Sequence, residues 1–211
     1  MDLCRLCEAK KPKRFCPAAH GEICSPCCGE QREVTLDCPL DCEYLIEARL
    51  HNKLPEVNPD QFPNLDIRVT ELFLRENEQT LLLIARSLLE AALATPGASD
   101  NDVRESLQAV IKTHRTLETG LIYQTRPANP YAGAIQERLE GAIAHHRQQT
   151  LQATGMHSIR DSQLLGLFVF LQRLEIQHNN GRRRGRAFLS FLLDHFHAPA
   201  GPPPAQVISL S

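Results

Sequence analysis

No long apolar run occurs in this sequence. The longest, Leu164 to Leu171, is far shorter than the roughly 20 residues a helix needs to cross a bilayer, so no membrane span is expected. The opening Met1-Asp2-Leu3-Cys4-Arg5 has no basic segment leading into an apolar stretch, so a secretory leader is not expected either. Net charge is only −2 over 211 residues, which supplies no global field towards nucleic acid or an anionic surface. Nucleophile-elbow, P-loop and dinucleotide fingerprints are all missing, so neither an enzyme nor a small-molecule substrate is inferred. Cysteine, finally, is missing from everything beyond Cys42. With 42% hydrophobic and 23% charged residues, the chain reads as an ordinary cytoplasmic globular protein.

What is there is concentrated at one end. All eight cysteines fall between Cys4 and Cys42, and clustered thiols in a reducing compartment mean metal or redox chemistry. In order they read Cys4-x2-Cys7-x8-Cys16-x3-His20-x3-Cys24-x2-Cys27, then Cys28, then Cys38-x3-Cys42. Zn²⁺ takes four ligands in a tetrahedron and favours thiolate with imidazole. Counting one of the adjacent Cys27 and Cys28 leaves eight ligands, enough for two Zn²⁺ per chain; Cys28 stands as a substitute for Cys27. Short loops between paired cysteines let both sulfurs face one ion. Pro39 suits a first helical position, so Cys38 and Cys42 are expected on one face of a helix start, where thiolates are favoured electrostatically.

This order of pairs resembles cross-brace zinc modules such as RING and B-box domains, over residues 4–42 and at the level of ligand spacing. The resemblance implies a small Cys-rich zinc-binding module, treble-clef/cross-brace-like, with Cys4, Cys7, Cys24 and Cys27 at one ion and Cys16, His20, Cys38 and Cys42 at the other. Sequential pairing is the alternative. Cys38-x3-Cys42 departs from the final CxxC of RING domains, so topology is carried over and ligase activity is not.

A module of about 50 residues cannot bury enough core to fold unaided, which favours structural zinc. Closed sites with no position left for water disfavour catalytic zinc. Including His20 leaves no compact four-cysteine set for an iron–sulfur cluster, and a missing leader argues against disulfides. The first 50 residues carry seven Lys/Arg against nine Asp/Glu, a net of −2. Seven thiolates around two divalent ions add three more negative charges, giving about −5, the wrong sign for phosphate.

The chain divides into the two-zinc module at 1–54, a Pro-rich linker at 55–64, an all-α bundle at 65–197 and a Pro-rich tail at 198–211. Five helices are expected: about 66–95, about 100–125, one from Pro130 capped by Asn129, a central one opened by Ser158-Ile159-Arg160-Asp161 and ended by Asn179-Asn180-Gly181, and about 186–197. Glu175-Ile176-Gln177-His178 matches half of a di-iron motif, with Glu140, His145 and His146 near, but a second ExxH is missing. His114 and His146 read as core or edge residues. Between the last two helices Arg182, Arg183, Arg184 and Arg186 form a basic loop, suited to docking an acidic partner or to capping the preceding helix. The functional expectation is a binding or adaptor protein with structural zinc, partnered by another protein. The alternatives are a thiol-based redox or metal sensor, and a nucleic-acid-associated protein using the arginine loop.

Overall fold

Paired cysteines and prolines punctuate the first 50 residues so closely that only short elements form. The computed structural model describes residues 3–52, 56–118, 120, 123–155 and 159–196. Strand β1 (Arg14–Cys16) pairs antiparallel with β2 (Gly21–Ile23), placing Arg14 opposite Ile23 and Cys16 opposite Gly21. A 3₁₀ turn at Pro17–Ala19 joins them and is closed by His20 in the left-handed region, at φ 49°. Helix α1 (Ser25–Gln31) follows at once, with Cys24 at its N-cap and a proline in its first turn, where the lost N–H would be unpaired anyway. Helix α2 (Glu43–His51) starts one residue after Cys42. Pro39 is therefore not its first residue: the Cys42 N–H donates to the Pro39 carbonyl in a turn ahead of the helix. The module has its own small core, Ile23, Leu36 and Leu45 among the buried cysteines.

The remainder is helical: α3 (Glu71–Glu76), α4 (Glu78–Leu93), α5 (Asp100–Glu118), α6 (Pro130–Thr154), α7 (Asp161–His178) and α8 (Ala187–Phe196). The expected first helix is two, because Asn77 turns its amide back onto the Phe73 carbonyl at 2.8 Å and accepts from Gln163 on α7. The second ends sooner than periodicity suggests, at Glu118. Asn129 caps α6 by accepting the Tyr131 N–H, and the Arg160 N–H donates to Gln163 at the start of α7. Ser158 lies outside the described residues, as does the 198–211 tail. Helix α7 packs chiefly on α5, while α6 lies against both α4 and α5, and α8 covers α4 and α7. Ile84, Leu88, Leu107, Ile135, Leu139, Phe168 and Phe188 are fully buried between them. α7 is the central helix because its apolar run faces neighbours nearly all round. No described helix is long and apolar enough to cross a membrane.

Of the expected linker, residues 56–64 are described, and their far end is fastened to the bundle. Asn64, at φ 60°, accepts from Arg115 and donates to Gln172 on α7 at 2.8 Å.

Candidate metal centre

Local structure brings four of the cysteines together. Cys4 and Cys7 flank a tight turn held by the Glu8 N–H on the Cys4 carbonyl. Cys24 and Cys27 bracket the first turn of α1, which the hairpin delivers beside that turn. The four sulfurs lie within 4.8 Å of one another, with Cys7 Sγ and Cys24 Sγ at 3.9 Å. A tetrahedral ion with Zn–S of about 2.3 Å demands edges of about 3.8 Å. The group therefore has the dimensions of a metal site.

Its electrostatics ask for a cation. Burial pushes the Cys4 thiol up, but backbone N–H groups of Cys24, Cys7 and Leu6 outweigh it and bring Cys4 down to about 6. The Cys24 N–H reaches Cys4 Sγ at 3.2 Å. Cys7 is lowered by the N–H groups of Ala9 and Lys10. Cys27 goes the other way, up to about 12, through hydrogen bonding to Cys24 and then burial. Crowded thiols cannot all ionise unless a positive charge sits among them.

The other expected ligands are arranged differently from the spacing. Cys16, Cys38 and Cys42 line one small cavity, and the cysteine that joins them there is Cys28. Cys27 and Cys28 thus face different groups, which adjacent residues in a helical turn do readily. His20 does not line that cavity. It is exposed, and its carbonyl accepts from Arg5 at 3.0 Å. This second set is looser than the first: among the described residues, the 4.8 Å spacing is met by Cys4, Cys7, Cys24 and Cys27. Burial pushes Cys38 up, against a hydrogen bond from the Glu33 backbone.

The arginine loop is turned inward at two of its four arginines. Arg186 pairs with Asp37 at 2.7 Å and donates to the carbonyls of Ala98 and, at 3.5 Å, Cys38. Arg182 donates to the Arg32 carbonyl. Arg183 and Arg184 keep exposed side chains, although the Arg184 N–H donates to the Glu33 carbonyl. Half of the basic loop is thus spent inside the molecule.

At the centre of that contact sits Glu33, which sequence reading passed over. Its side chain is 2% exposed. Oε1 accepts from Arg49 and from the Arg186 N–H, both at 3.0 Å, and Oε2 accepts from Asn180 at 2.8 Å. Its φ of 55° is a strained value for a residue with a Cβ, and such strain persists where surroundings hold it. No local motif marks Glu33. It is one of nine acidic residues in the first 50, and every side-chain partner but Arg49 is about 150 residues away.

The di-metal fragment is occupied otherwise. Glu175 is buried on Arg104 at 2.8 Å and Asn179, while His178 stacks on Phe191 at 3.8 Å. His114 lies against Phe168, lowered by burial, in a cavity of about 520 Å³ that Glu140, Arg147 and Asp161 also line. No family model, curated protein or solved structure matches this sequence. Fold and site define a mostly helical protein carrying a four-cysteine group close enough to bind a metal ion.

Proposed function

We propose that the first 50 residues are a treble-clef-like module held by structural Zn²⁺ at Cys4, Cys7, Cys24 and Cys27, and that the protein acts by binding another protein. The observation that carries the metal reading is the sulfur spacing, all four within 4.8 Å. The order of turn, hairpin and helix N-terminus supports the treble-clef description, since the two cysteine pairs come from the turn and the helix start. Four thiolates complete a tetrahedron and leave no place for a reacting water, so the ion holds the fold and performs no chemistry. Backbone N–H groups aimed at Cys4 and Cys7 spread the charge of the thiolates, as outer partners do at structural zinc.

Without an ion the module is a weak fold. Its core is little more than Ile23, Leu36 and Leu45, so metal binding supplies most of its stability. For the partner, Arg183 and Arg184 are the part of the loop still available to an acidic surface, with the zinc module as a rigid neighbour. Purified full-length protein should contain zinc, show no visible iron–sulfur absorbance, and lose the module's cooperative melt under a strong chelator. Protein that binds no zinc and melts identically with chelator would refute the metal reading. Partner capture from native lysate that is abolished by chelator supports the adaptor reading, and capture of RNA or DNA with steep salt dependence opposes it.

A further inference from the structure

We infer that a second Zn²⁺ is held by Cys16, Cys28, Cys38 and Cys42, with Cys28 in the position that spacing assigned to His20. This rests on the zinc reading of the first group and extends it to a ligand set of its own. Four thiols arrive from four places: the end of β1, the second turn of α1, the loop after Leu36 and the N-cap of α2. All four line one cavity of about 10 Å³, the room of a single atom. The remaining lining is apolar or arginine, apart from the tyrosine edge of Tyr44. The eight cysteines then divide four and four, and none is left spare.

Donors reach two of the four sulfurs. Arg14 Nη1 approaches Cys28 Sγ at 3.8 Å while the same guanidinium is fixed by Ser25 and lies 4.2 Å from the Tyr44 ring. The Glu33 backbone donates to Cys38. Cys42 makes no side-chain capping bond, so its sulfur is uncommitted at the positive end of α2. His20 stays outside: it is exposed, and its left-handed backbone closes the hairpin turn instead. The two ions interleave along the chain, the first taking the outer turn and the helix start, the second the hairpin and the later loop.

The test uses full-length protein, with zinc content by elemental analysis and the ligand shell by zinc X-ray absorption. Wild type should hold two zinc ions and show a sulfur-only shell at about 2.3 Å. Cys28→Ser and Cys42→Ser should each lower the content to one, Cys7→Ser should also leave one, and His20→Ala should leave two. One ion in wild type, lost by Cys7→Ser and untouched by Cys28→Ser, overturns the inference and keeps the first site: the second group is then buried thiols. A drop to one on His20→Ala with Cys28→Ser unchanged makes His20 the ligand and also overturns it. Should the cysteine variants fail to fold, the unmutated shell decides, since a nitrogen component at about 2.0–2.1 Å excludes the all-cysteine set. Absence of zinc from wild type removes both readings together.

Discussion

Glu33→Gln is the most informative single change, because this buried carboxylate binds the cysteine module to the loop before α8 through Asn180 and Arg186. Gln keeps the shape and one acceptor oxygen but removes the charge that Arg49 pairs with at 3.0 Å. It also turns an NH₂ group towards donors, namely Arg49 and the Arg186 N–H or Asn180. Breaking one partner of a buried ion pair costs about 3–5 kcal/mol. Arg49 is 14% exposed against 2% for Glu33, so water relieves part of the loss and the lower end, about 3 kcal/mol, applies. For a chain of this length about 1 kcal/mol moves Tm by about 2–4 °C, which makes the expected drop about 6–12 °C. Glu30→Gln, exposed on α1, is the control and should stay within about 0.5 kcal/mol. Zinc-loaded protein would be melted by circular dichroism while a zinc-sensitive dye follows metal release. Wild type should give coincident transitions, and Glu33→Gln should separate them, the module letting go first. A loss below about 1 kcal/mol with transitions still coincident refutes the claim that Glu33 carries the contact.

The arginine loop should split by position: Arg182→Gln and Arg186→Gln should lower Tm measurably, whereas Arg183→Gln with Arg184→Gln should leave it unchanged and weaken only partner capture. Asp100 supplies a pH signature. Burial pushes its carboxyl up to about 7, against the N–H groups of Phe188 and Leu189, from an ordinary value of 3.8. Between those values the folded state holds a proton that the unfolded chain has released, so stability should fall as pH rises from 4 towards 7 and level off above. Urea midpoints from pH 5.5 to 8 should show this slope in wild type, and Asp100→Asn should flatten it.

Much of the helical half was legible because its signals are local. Asn129-Pro130 predicted the start of α6, and the apolar run from Leu164 to Leu171 predicted the buried central helix. What periodicity missed was decided by side chains acting across helices. Asn77 sits at the break in the pattern: its backbone N–H and its side-chain amide both donate to the Phe73 carbonyl, and its Oδ1 accepts from Gln163. In the cysteine module, spacing found the pairs Cys4–Cys7 and Cys24–Cys27, since each pair is closed within one turn. Spacing could not decide between Cys28 and His20: Cys28 lines the cavity with Cys16, Cys38 and Cys42, while His20 is exposed. A histidine with three residues between it and a cysteine on either side fits a ligand pattern, and its backbone also closes the hairpin turn in the left-handed region.

The basic loop shows the same limit from the other side. Four arginines in five positions read as a surface made to meet something, and that is what the loop does, but the surface it meets is this chain's own. The Arg186 side chain reaches two separate stretches, Asp37–Cys38 and Ala98, and its N–H reaches Glu33. Different nitrogens of the guanidinium serve Ala98, Cys38 and Asp37, a spread that the single nitrogen of a lysine does not have. The bonds also converge on the stretch between Arg32 and Cys38, which leads into the second cysteine set. Gly185 fits this junction for a steric reason: a Cβ there would lie 2.4 Å from Asn180 Oδ1, the oxygen that accepts the Arg182 N–H. The Gly185 carbonyl in turn accepts the Asp100 N–H, at the start of α5. Loop, helix start and cysteine module therefore share one set of hydrogen bonds.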